Sequence, residues 1–106
     1  MLAEATALLI ARAGDDFIPW LAERKGLYHL AGNGYTSRLD WTEAILKLDK
    51  KRNEHIVENI LPALTSDFPS AANRPLFSAL DCSKFEKIFD LRLPDWQTAL
   101  KLALDF

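Results

Sequence analysis

The sequence is poor in cysteine, has no surplus of charge of either sign, and lacks any long apolar run. Cys82 is the only cysteine among 106 residues. No internal disulfide can form, a Cys-rich zinc site is excluded, and a lone thiol fits a reducing cytoplasm. Lys and Arg number 13 against 15 Asp and Glu, a formal charge of −2. No basic surplus points to nucleic acid and no acidic tail points to disorder. The one apolar run near the start, Ala7 to Ala11, is far short of the roughly 20 residues that span a membrane. It is preceded by Glu4 and followed by Arg12, the reverse of a secretory leader. His29 and His55 lie far apart, and neither has a carboxylate at metal-ligand spacing. These absences predict a cytoplasmic protein with no nucleic-acid, membrane or metal partner.

What is present is ordinary globular composition, 49% apolar and 26% charged. A chain of this length forms one domain, residues 1–106, and buries roughly two-thirds of its unfolded surface. The fold class expected is α/β of an α+β-like kind, a small mostly helical domain with a few short strands.

Apolar spacing predicts a helix over Leu2 to Ala13, stopped by Gly14. Asp15 and Asp16 cap a second short helix through Trp20 to Lys25, with Pro19 near its start. Leu27 to Ala31 reads as a strand and Gly32-Asn33-Gly34 as a turn. Ser37 and Asp40 form an approximate capping box. The helix behind them shows Trp41, Ala44, Ile45 and Leu48 on one face. Residues 49–53 end it with polar side chains. Ile56-Val57 and Ile60-Leu61 could form a strand that Pro62 confines to an edge. Thr65 to Pro69 reads as a capped turn, and Ser70 to Asp81 as extended, because Pro75 biases Arg74 away from helix. Asp81 or Ser83 caps a helix burying Phe85, Ile88 and Phe89. Pro94 opens the last helix, with Trp96, Ala99, Leu100 and Ala103 inward.

Gly32-Asn33-Gly34-Tyr35-Thr36-Ser37 imitates a dinucleotide fingerprint, in which pyrophosphate sits on exposed N–H groups at a helix start. Its third small residue is serine, and too little chain follows for a doubly wound sheet. A tight turn into a helix is the better reading, and no cofactor-binding residue is assigned. His29 reads as a packed histidine and His55 as an exposed one. Trp20, Trp41 and Trp96 read as core. Arg74 is the leading ligand candidate. Pro75 stiffens its backbone, and a guanidinium fork matches a diphosphate. The competing reading is an arginine that ties down a carboxylate or a helix end. Asn73 and Arg38 are the secondary candidates.

Asn73 to Lys84, closed by Pro94-Asp95-Trp96, resembles the end of the dTDP-4-dehydrorhamnose reductases, with their Arg-Pro-x-Asn-Ser-x-Leu-x-x-x-Lys segment and Pro-Asp-Trp. Gly26 to Gly32 matches the Gly-x-Tyr-His-x-x-Gly of that family, and Thr36-Ser37 its Thr-Ser before a helix. The resemblance covers nearly the whole chain. Phe77 departs from it, standing where asparagine is usual.

The resemblance implies the sugar-nucleotide-binding part of a reductase that converts dTDP-4-dehydro-L-rhamnose to dTDP-L-rhamnose with NADPH. It also implies that Arg74 faces the diphosphate. The catalysis of the superfamily needs a tyrosine four residues before a lysine. Tyr28 is followed at that spacing by Gly32 and Tyr35 by Leu39, so no catalytic residue is assigned here. NADPH, the tyrosine and the lysine would belong to an N-terminal nucleotide-binding domain absent from these residues. That domain and the dTDP-sugar are the expected partners, with a dimer through an exposed apolar face as a further expectation. Two rivals stand beside this reading. One is a non-catalytic regulatory or interaction module with a reductase-like fold. The other is part of a different sugar-nucleotide epimerase or reductase, which Phe77 keeps open.

Overall fold

Two helix pairs and a fifth helix, joined by irregular chain, make up the molecule, whose computed structural model describes residues 1–105. The first pair is α1 (Leu2–Ala13) and α2 (Phe17–Glu23). Ala5 and Ala13 are the buried residues of α1. Gly14 ends that helix at φ 57°, where a side chain would be strained. Arg24 closes α2, with Nη1 donating to the Trp20 carbonyl at 3.0 Å and the guanidinium 4.5 Å above the Trp20 ring.

Against this pair sits α3 (Ser83–Phe89). Its Phe85 is buried and Phe89 half-buried. Phe85 and Phe89 lie 4.8 Å apart, Trp20 meets Phe89 at 5.7 Å, and Tyr28 meets both phenylalanines edge-on at 6.1 and 5.1 Å. Such tilted and edge-to-face contacts suit the ring quadrupoles. The polar tips are also satisfied. The Tyr28 hydroxyl donates to the Arg24 carbonyl at 2.6 Å. Arg12 Nη1 donates to the Phe89 carbonyl at 2.6 Å, a cation at the negative end of a helix.

The second pair is α4 (Arg38–Leu48) and α5 (Trp96–Leu104), which pack on one another. Leu93 and Leu100 are buried at this end. Both helices have side-chain caps. Ser37 Oγ accepts from the Asp40 N–H at 3.0 Å, and Asp95 Oδ1 accepts from the Thr98 N–H at 2.8 Å. Each satisfies a donor that the first turn would otherwise leave unpaired.

The expected α/β class is corrected here. Helix accounts for 52% and strand for 2%, with no sheet among the described residues. Leu27 to Ala31 is extended, but its backbone has no partner strand among the described residues. Its groups are used otherwise. Tyr28 enters the aromatic cluster, and Lys84 Nζ donates to the Leu27 carbonyl at 2.9 Å while lying 4.8 Å from the Tyr28 ring. The stretch 56–61 is irregular, exposed over most of its length, and pairs with nothing. The sole β feature among the described residues is a parallel bridge between Asn33 and Asp95.

Residues 55–82 form a long strap containing one helical turn, Thr65–Asp67. Leu76 is 90% exposed and Ile56 94%. The radius of gyration is 18.5 Å, against about 13 Å for a compact chain of this length. The accessible surface is 9059 Å², where a compact 12.0 kDa protein shows about 6,000 Å². Nearly every residue of this strap is exposed.

Candidate functional site

The two capped helix starts are held side by side by the bridge. The Asn33 N–H donates to the Pro94 carbonyl at 2.9 Å, and the Trp96 N–H donates to the Asn33 carbonyl at 3.1 Å. Gly34 adopts a left-handed backbone at this joint, where a side chain would be strained. A Cβ on Gly32 would lie 3.6 Å from the Pro94 carbonyl, and one on Gly34, at φ 79°, 3.5 Å from Trp96 Cδ1. Beside this joint the strap passes close. Phe77 meets Tyr35 edge-to-face at 5.4 Å.

Between them opens a cavity of about 590 Å³, lined by Tyr35, Thr36, Ser37, Asp40, Leu76, Phe77, Trp96 and Gln97. This volume falls within the range of small-ligand sites, roughly 300–1,000 Å³. Among the described residues, the side chains of Asp40 and Gln97 form no hydrogen bond. Asp95 is committed elsewhere. The Thr98 backbone N–H, and then the Thr98 hydroxyl at 2.9 Å, hold its carboxyl below the usual carboxylate range. A second cavity of about 560 Å³ lies over α3, lined by Ser83, Glu86, Lys87, Asp90, Leu91 and Arg92. None of the candidate residues lines it, and an Arg92–Glu86 ion pair at 2.9 Å ties two of its members together.

None of the sequence candidates lines the first cavity, though each is near a lining residue in sequence. Arg38 is the first residue of α4, directly after Ser37. Arg74 and Asn73 lie on the strap, three and four residues before Phe77. All three are exposed, and none uses its side chain in a hydrogen bond or ion pair among the described residues. The rival reading of Arg74 as a tie to a carboxylate or a helix end therefore has no contact to support it.

The histidines differ from expectation. His29 is exposed rather than packed. His55 is half-buried, its Nε2 2.6 Å from Asp49 Oδ2, which fastens the start of the strap to the end of α4. Asp49 is held below the usual carboxylate range by the Lys51 N–H first and by His55 second. Trp41, expected in the core, is 47% exposed.

The glycine-rich turn is partly engaged by its own chain. Its Asn33 N–H is already bonded to Pro94, the Trp96 ring occupies the space over Gly34, and Ser37 Oγ is engaged by its own helix. No cluster of three metal-ligating side chains exists among the described residues, and no helix among them is long and apolar enough to cross a membrane.

Sequence reasoning missed Tyr35, Trp96 and Gln97 as cavity residues. By sequence Tyr35 stands in the glycine-rich turn and as a tyrosine without its lysine, and Trp96 as core and as the end of the Pro-Asp-Trp motif. The available signal was the pair of capped helix starts, each followed or preceded by an aromatic residue. Their adjacency depends on a bridge that joins residues 33 and 95, which no local pattern encodes.

A family model described as RmlD substrate binding domain matches residues 1–106. Among similar proteins, a dTDP-4-dehydrorhamnose reductase of Escherichia coli is 36% identical over 99% of this chain and 34% of its own length. One of Shigella flexneri is 34% identical over the same shares. One of Aggregatibacter actinomycetemcomitans is 37% identical over 90% of this chain and 33% of its own length. The chain thus spans about a third of the length of these relatives. No solved structure matches it.

Proposed function

Since the chain belongs to the RmlD substrate binding domain family, we propose that residues 1–106 form the sugar-nucleotide-binding domain of a cytoplasmic dTDP-4-dehydrorhamnose reductase. The parent enzyme reduces the 4-keto group of dTDP-4-dehydro-L-rhamnose to give dTDP-L-rhamnose. The observation that carries the reading is the cavity between the Tyr35–Ser37 turn and Phe77, flanked in sequence by the uncommitted cations Arg38 and Arg74. A diphosphate needs charge-assisted donors of this kind at the edge of a pocket. In this reading Arg74 grips the diphosphate, with Arg38 and Asn73 beside it.

The chain's part in the reaction is to bind and orient. In this reading NADPH supplies the hydride from a short-chain-reductase nucleotide-binding domain elsewhere in the full-length protein, since neither tyrosine here has a lysine four residues on. The surplus of about 3,000 Å² over a compact chain of this mass supports a neighbouring domain. Interfaces within one chain commonly take 600–1,500 Å². Ile56, Leu61 and Leu64 on the strap are the apolar groups available to it.

The test is titration calorimetry of the full-length gene product with dTDP-L-rhamnose. Binding is expected, weakened tenfold or more by Arg74→Ala and less by Arg38→Ala. Absence of binding would leave an interaction module. Full affinity in the double variant would remove these arginines from the site. The coding frame upstream of Met1 is a second check. The reading expects a Gly-rich strand–helix turn and a Tyr-x-x-x-Lys in it.

A further inference from the structure

Tyr35 and Phe77 each stand three residues from an uncommitted arginine. Tyr35 is followed by Thr36, Ser37 and Arg38, and Phe77 is preceded by Arg74, Pro75 and Leu76. Their rings meet edge-to-face at 5.4 Å and 76°, a geometry that ring quadrupoles favour. One contact therefore joins the two chain segments that carry the cations. Three residues reach at most about 10 Å, so each arginine is tethered close to it.

Both tethers are stiff. On one side Ser37 Oγ caps α4, whose first residue is Arg38. The Asn33 bridge fixes the turn behind Tyr35. On the other side Pro75 locks its own φ and biases Arg74 to extended backbone. The rest of the strap gives Arg74 little to hold it. From Ile56 to Leu80, every hydrogen bond among the described residues stays within the strap. Phe77 on Tyr35 is the strap's one aromatic pairing among them.

Resting on the reading above, we infer that Phe77 is a positioning residue: its contact with Tyr35 sets Arg74 against Arg38, so that both guanidinium groups serve one diphosphate. A site assembled in advance binds more tightly than one that must be gathered, in proportion to the fraction of molecules already assembled. Phe77 stands where the resembled reductases usually have asparagine. An amide offers no ring to pack on Tyr35, so the tie requires the phenylalanine found here.

The test is calorimetric titration of the full-length protein, with NADP+ present, using dTDP-L-rhamnose, dTDP and dTMP as probes. Both rings are exposed, 73% for Tyr35 and 67% for Phe77, and far-ultraviolet circular dichroism verifies that each variant is folded. Phe77→Ala and Tyr35→Ala are each expected to weaken dTDP-L-rhamnose by about fivefold, the worth of an aromatic pair. Phe77→Tyr and Tyr35→Phe keep both rings and should bind within about twofold of wild type. In an Arg74→Ala background, Phe77→Ala should add less than about twofold, because its effect runs through Arg74. The preference for dTDP over dTMP, which lacks the second phosphate, should shrink by the same factor as the affinity falls. A ring with a merely structural role, or one that touches the nucleoside, would leave that preference unchanged. An unchanged preference therefore overturns the positioning role. So do additive losses in the double variant, full affinity in both alanine variants, or full affinity in Arg74→Ala alone. In each of these cases wild type still binds dTDP-L-rhamnose and the domain's function stands. If wild type binds neither dTDP nor dTDP-L-rhamnose, the functional reading itself fails.

Discussion

The aromatic end of the molecule and the 55–82 strap use similar side chains and reach opposite states. Around α3, Trp20, Tyr28, Phe85 and Phe89 close on one another, and Arg12, Arg24 and Lys84 tie off the surrounding carbonyls. In the strap, Ile56, Leu61, Leu64, Phe68 and Leu76 are all exposed. Composition does not separate the two. Prolines do, in part. Pro62, Pro69 and Pro75 interrupt the strap and deny it a helix that could lay an apolar face on a neighbour. One region is a core made by this chain for itself. The other leaves its apolar side chains open on the surface.

The contrast can be broken hardest at Phe85. Phe85→Ala removes a 5% exposed ring and should cost about 3–5 kcal/mol, read as a fall in the urea midpoint. Next is the joint beneath the cavity. Gly34→Ala places a Cβ at φ 79° and 3.5 Å from Trp96. It should cost about 1–2 kcal/mol, and a change in Trp96 fluorescence should accompany it. Acid should act on the same end of the molecule. Asp95 has a folded pKa below its ordinary 3.8. Its contribution is therefore complete above that ordinary value and is lost as pH falls through the lower folded one. Denaturation midpoints between pH 5 and pH 2 should fall less steeply in Asp95→Asn than in wild type. The smallest effect is expected in the strap. Ile56→Ser and Leu76→Ser should change the stability of this chain by no more than about 0.5 kcal/mol. A large loss there would show that the strap is core after all. In the full-length protein, the Ile56 change should lower stability measurably.

Much of the helical order was legible because its signals are local. Gly14 as a stop, Ser37 and Asp40 as a cap, and the Phe85 and Phe89 spacing each act within one turn. The strands were misread because extended backbone becomes a strand only beside a partner, and Lys84 took the place of one at Leu27. His55 was read as exposed because its partner, Asp49, sits on the far side of a helix end. Of the candidate site, Arg38, Asn73 and Arg74 could be nominated by residue type and by resemblance. The cavity they flank could not, since Tyr35, Phe77 and Gln97 meet only after distant segments are folded together.

The Asn33–Asp95 bridge also bears on how this domain can vary. Its two hydrogen bonds join Asn33, four residues before the Ser37 cap, to Pro94 and Trp96 at the start of α5. The strap hangs from that clasp as a loop whose two ends are already held. Lengthening a loop is thermodynamically mild, about 0.6 kcal/mol for each doubling. Insertions near Ala71 and Ala72 should therefore be absorbed, whereas adding or deleting one residue between Gly32 and Ser37 would throw the two helix starts out of register.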